Sequence, residues 1–138
     1  MILPFRSVAL CAIIAGCAPA PSPLPCARVG GAPMLEYHLF FGRGIPGRPP
    51  LTDQEWADFA EQVVTLHLPA GFTVLDADGQ WMNPATHRIS RERTKMLIVA
   101  VPDTADSASV VTAVKDAYRA QFHQQSVGTI VHPACGAF

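Results

Sequence analysis

The run Met96-Leu97-Ile98-Val99-Ala100-Val101, stopped by Pro102, constrains the fold more than any other stretch of the chain. A short, unbroken apolar run of this kind reads as a strand, whose successive side chains point to opposite faces. Met96, Ile98 and Ala100 then share one face, and Leu97, Val99 and Val101 the other. A sheet with one wet face alternates apolar and polar residues, so this strand belongs to a sheet covered on both sides. One cover is the molecule's own core. The other is a second copy of the domain, a ligand or a partner, and Val99→Asp is expected to disrupt association or solubility.

The rest of the chain supplies the neighbours of that strand. Leu35, Tyr37, Leu39 and Phe41 alternate with Glu36, His38 and Phe40, which makes 35–42 a strand. A Gly- and Pro-rich loop runs to Pro50, and Thr52-Asp53-Gln54-Glu55 then matches a helix capping box. Trp56, Phe59, Ala60, Val63 and Val64 form one apolar helical stripe, closed by Pro69 and Gly71. Residues 72–81 and 89–101 read as the arms of a long hairpin, with a bulge or turn expected at Asp78-Gly79 and a turn at Asn83-Pro84. Asp103 or Thr104 caps a second helix, whose face carries Val110, Val114, Ala117, Tyr118 and Gln121, widened by Val111 and Phe122. Residues 126–132 make a last strand, ended by Pro133. The order β-α-β-β-α-β predicts an α+β, ferredoxin-like domain: a four-stranded antiparallel sheet with two helices on one face. Its first and last strands are neighbours, so the chain before Leu35 and after His132 meets at one edge.

At 138 residues there is room for one such domain. Hydrophobic residues make up 49% of the chain and charged ones 15%; part of that apolar excess lies in the first sixteen residues. Arg6 and the apolar run Val8–Ala15 read as an export signal, because eight helical residues reach only about 12 Å, well short of a bilayer core of about 30 Å. Ile14-Ala15-Gly16-Cys17 resembles the lipobox of bacterial lipoproteins, which implies cleavage before Cys17 and a diacylglycerol on its sulfur. At roughly 0.8 kcal/mol per buried CH₂, two acyl chains anchor durably where one does not. Ala18 then implies outer-membrane sorting, facing the periplasm, if the cell is Gram-negative. The expected division is 1–16 signal peptide, 17–33 lipidated cysteine with a Pro-rich linker, and 34–138 folded domain.

Cys11 leaves with the signal and Cys17 is lipidated, so Cys26 and Cys135 remain. Two cysteines in an oxidising compartment read as one disulfide. The predicted topology brings them to the same sheet edge, and the bridge closes a loop of about 110 residues, about 4–5 kcal/mol in the chain-entropy model.

Phe40-Phe41-Gly42, Gly71-Phe72-Thr73-Val74-Leu75-Asp76-Ala77-Asp78-Gly79-Gln80-Trp81, Thr94-Lys95, Tyr118 with Phe122, Gln125-Ser126-Val127 and Cys135-Gly136-Ala137-Phe138 form a recognisable set. The chain resembles the domain-of-unknown-function family 3574 across 34–138. The resemblance implies a small exported bacterial protein, often a lipoprotein, and brings no activity or catalytic residues. Arg93 departs from the family pattern, which has Pro there, so a local difference in backbone is expected.

No serine-hydrolase elbow, phosphate loop, C-x-x-C or H-E-x-x-H is present, which favours a non-catalytic binding module of the envelope over an enzyme. The histidines at 38, 67, 87, 123 and 132 show no ligand spacing, so neither a metal nor another cofactor is expected. A net charge of −1 and the absence of a basic stripe give no sign of a nucleic-acid partner. Arg88, Arg91, Arg93 and Lys95, interrupted by Glu92, read as a solvated stretch, although Arg91 and Lys95 have the spacing to bind an anion. His38 and Glu36, polar on the second sheet face, are the first site candidates. The enzyme alternative uses the cleft around His38, with His38 as general base and Glu36 or Asp76 orienting it. Asp76 and Asp78 are more readily explained by a turn beside Gly79, His38 by a hydrogen-bonded interface, and Trp81 by core packing than by a partner anchor.

Overall fold

The computed structural model describes residues 26–138. The signal peptide, Cys17 and the linker up to Pro25 lie outside the described residues. A 3₁₀ turn, Cys26–Val29, leads into strand β1 (Ala32–Gly42). Helix α1 (Asp53–Phe59) continues through a π-helical turn (Ala60–Val64) into a last α-helical turn (Thr65–His67). Strands β2 (Thr73–Met82) and β3 (Ile89–Pro102) form the hairpin; helix α2 (Ala105–Phe122) and strand β4 (Gly128–Gly136) follow. All strand pairings are antiparallel and the order is β2-β3-β1-β4, so the domain is α+β: one four-stranded antiparallel sheet with two helices. No helix among the described residues is long and apolar enough to cross a membrane.

Local chemistry starts both helices. The Thr52 hydroxyl accepts from the Glu55 N–H at 3.1 Å, and the Glu55 carboxylate accepts from the Thr52 N–H at 2.8 Å, the capping box read from the sequence. Thr104 caps α2, its Oγ1 accepting from the Ser107 N–H at 3.1 Å. His123, in the left-handed region at φ 53°, closes that helix.

One sheet face holds the core. Leu39 and Phe41 of β1 and Leu97 and Val99 of β3 pack with Trp56, Phe59 and Val64 of the first helix and Val111, Val114, Tyr118 and Phe122 of α2. Tyr118 stands at its centre, fully buried, 4.8 Å from the Phe41 ring and 5.2 Å from Phe59. Its hydroxyl donates to the Gly42 carbonyl at 2.8 Å, which satisfies the one polar atom of a ring in an apolar setting.

Four expectations change. Val99, opposite Tyr37, is 3% exposed and belongs to the core, so the outward residues of β3 are Met96, Ile98 and Ala100. β2 and β3 pair through ten consecutive positions from Thr73↔Ile98 to Met82↔Ile89, without a bulge at Asp78-Gly79, because that register is unbroken. Arg93 sits inside the same ladder, so the departure from the family's Pro leaves the strand regular. Pro133 does not end β4 but pairs with Leu35 within it; β4 is an edge strand, where a missing N–H can point to solvent.

Cys26 and Cys135 are joined by a disulfide, with Cα atoms 5.2 Å apart across 109 residues of sequence. It staples the start of the domain to the end of β4, beside the pair Ala32↔Gly136. No described element covers the outward face of the sheet. Phe40, Met96, Ile98 and Ala100 are half-buried there, and Leu75 and Ile130 are 44% and 54% exposed.

Candidate functional site

The middle of the outward face is apolar, with Glu92 and Thr94 at one end of β3, Thr73 on β2, and one polar cluster on β1 and β4. Glu36 and His38 lie two residues apart on β1 and therefore share this face. The β1–β4 register sets His132 directly opposite Glu36. One Glu36 oxygen, Oε1, meets His38 Nε2 at 2.6 Å and His132 Nε2 at 3.4 Å. The two imidazoles stand edge to face, centroids 5.3 Å apart. The hydrogen bond to His38 holds the Glu36 carboxyl below its ordinary pKa; partial burial opposes this, and the neighbouring His132 reinforces it. Around the trio, Ile98 and Ile130 flank His38 on the adjacent strands and Ala100 flanks Glu36. The donor atoms of the three side chains lie within 4.8 Å of one another, a grouping able to hold a metal ion.

His38 and Glu36 are thus brought together as the sequence suggests, and His132 joins them. Strand periodicity pairs the first two, but no local pattern links His132 to them. The missing information is the β1–β4 register, in which partner numbers sum to 168, as for Pro33↔Cys135 and Glu36↔His132.

The other candidates lie apart. Asp76, opposite Lys95, points to the helix side of the sheet and cannot orient His38. Lys95 is 7% exposed rather than solvated, its Nζ held by Asp76 at 2.7 Å and by Asp53 at 2.9 Å. Arg43, 5% exposed, joins them through Asp53 at 3.0 Å and donates to the Leu51 carbonyl at 2.7 Å. Burial is the largest influence on Lys95 and pulls its pKa down. The hydrogen bonds to Asp76 and Asp53 and their charges outweigh it, and the ammonium titrates above its ordinary value. Asp53 is held low, first by the Lys95 hydrogen bond and then by the Arg43 charge. This network ties the start of the first helix to β2 and β3, and the sequence reading did not single out Arg43 or Asp53. Arg91 is exposed and donates to the Gln80 side chain at 2.8 Å. Asp78 is exposed in a regular strand, not a turn. Trp81 is 48% exposed, not core.

Two clefts border the outward face. One of about 410 Å³ is lined by Phe40, Trp81, Glu92, His123, Gln125 and Ser126 among others. A second, of about 590 Å³, lies over β3 between Glu36, Thr73 and Phe138. Glu36 borders the second, and His38 lines neither.

An antiparallel four-stranded sheet backed by two helices, with a histidine–carboxylate cluster on its open side, defines the class as a small α+β domain. The chain belongs to the family described as Protein of unknown function (DUF3574), whose model matches residues 36–138. No curated protein matches it. Among solved structures, it is similar to a phage SAM lyase in complex with S-methyl-5′-thioadenosine. That match has a TM-score of 0.56 and 15% identity, over 75% of this chain and 90% of that one. The phage SAM lyase in its apo state gives a TM-score of 0.54 at 13% identity, over 87% of this chain and 98% of that one. At these identities the likeness is one of fold.

Proposed function

We propose that this protein is a lipid-anchored, non-catalytic binding module of the bacterial envelope, with a ferredoxin-like domain that associates with a second copy through its open sheet face. The observation that carries the reading is the outward face itself. It presents Phe40, Leu75, Met96, Ile98 and Ile130 to solvent, an apolar surface of the kind that interfaces use. The apolar residues in the middle of that face can meet their own copies, as a two-fold contact requires, and the small net charge of the chain gives two copies little to repel. The ferredoxin-like reading is supported by the strand order β2-β3-β1-β4 with a helix before β2 and another before β4. The anchor reading rests on the lipobox-like Ile14-Ala15-Gly16-Cys17.

Light scattering on the oxidised protein from Ala18 onward tests the association. A dimer that Ile98→Asp converts to a folded monomer supports it; a parental monomer overturns the second copy and points to an envelope protein as the cover. Detergent phase partition tests the anchor: the full chain is expected in the detergent phase and Cys17→Ser in the aqueous phase.

One observation favours a second reading, a small-molecule enzyme. The 2.6 Å contact between Glu36 and His38 orients an imidazole as a general base requires. S-methyl-5′-thioadenosine, the compound held by the phage lyase, is the first ligand to titrate. Saturable shifts of the His38 ring resonances support that reading, and unchanged resonances remove its first substrate.

A further inference from the structure

We infer that Glu36, His38 and His132 form a binding site for a late first-row divalent cation, with zinc as the natural probe. Two imidazole nitrogens and one carboxylate oxygen are the donor set that such ions favour, whereas magnesium and calcium favour oxygen-only shells. Metal–ligand bonds of about 2.0–2.2 Å in a tetrahedral site set donor atoms roughly 3.4 Å apart. Glu36 Oε1 and His132 Nε2 already stand at 3.4 Å. Glu36 Oε1 and His38 Nε2, at 2.6 Å, have to separate to admit the ion between them.

Glu36 and His38 sit in the interior strand β1, and Glu36 pairs directly with His132 within a nine-position ladder. Ile98, Ala100 and Ile130 are the apolar neighbours of the trio on the adjacent strands and offer no competing donor. The only charged side chain in the trio is a single carboxylate, so bound M²⁺ leaves a net positive centre. Three protein donors also leave a fourth position facing away from the helices, the arrangement of sites that accept an exchangeable ligand. The carboxylate pair Asp53 and Asp76 differs in kind because Lys95 and Arg43 already neutralise it.

This inference does not depend on self-association, since its test counts ions per chain whatever the mass. The full oxidised chain, freed of metal with a chelator, is titrated with zinc chloride by calorimetry. One ion per chain is expected, and His38→Gln and His132→Gln should each weaken binding by at least about tenfold, the smallest loss typical even of outer-shell partners. His67→Gln, whose ring bonds the Val63 carbonyl on the first helix, should bind like the parent. In the unmodified chain, imidazole ¹⁵N spectra should show zinc-dependent shifts confined to His38 and His132, a readout independent of how the variants fold. Binding below one ion per chain, variants that bind like the parent, or equal competition by magnesium chloride would overturn the assignment.

Discussion

Lys95 and Arg43 are the charged side chains that the described residues bury, and the same two carboxylates serve both. Asp53 and Asp76 keep most of their surface in water, 70% and 60% exposed, so the network is asymmetric. Removing the carboxylates leaves buried cations uncompensated, whereas removing the lysine leaves solvated carboxylates still facing Arg43. Asp53→Asn with Asp76→Asn should therefore lower the melting temperature more than Lys95→Met does, as measured by thermal unfolding. Glu55 adds a pH dependence. The Thr52 backbone N–H, then Arg48 and the Thr52 hydroxyl, lower its carboxyl from 4.5 to about 2. A folded value below the unfolded one contributes stability that is whole above about pH 4.5 and is lost as the pH falls towards 2. Asp53 and Glu36 are shifted in the same direction. Melting temperatures should fall across that window, and Glu55→Gln should make the fall shallower. The pairing of Glu36 with His38 was legible because it needs only a period of two. Lys95 was misread because nothing adjacent to it announces partners contributed by β2 and the first helix.

Elements were legible where their signals are local. Thr52→Ala removes the hydroxyl half of a capping box that is fully formed, and should destabilise the domain by about 1 kcal/mol in chemical denaturation. The π-helical turn at Ala60–Val64 was not foreseen, since its apolar stripe is equally compatible with an unbroken α-helix. Pro133 shows the limit of residue propensity: proline stops an interior strand, but an edge position tolerates it, and strand order is a tertiary fact. His132 joined the candidate site by the same route, through a register that no stretch of sequence states by itself.

For the whole molecule, the two sides of β3 carry different burdens. Val99→Asp places a charge in the core and should unfold the domain, while Ile98→Asp touches only the outward face and should leave circular dichroism and the disulfide intact. Far-ultraviolet spectra of the pair separate the two outcomes. The sequence made both faces of this strand equally apolar, and only the packing of the helices shows which one is the interior.

The Cys26–Cys135 bridge joins the two ends of the folded domain rather than two points inside it. On the proposed export route the chain meets an oxidising environment only after it has crossed the membrane. Before that, both thiols are reduced and the terminal strand pair of β1 and β4 lacks its clasp. The precursor is therefore easier to unravel than the mature protein, by up to about 4–5 kcal/mol in the chain-entropy model. On that proposed route the clasp works as a one-way latch, with the chain threaded while pliable and locked on arrival.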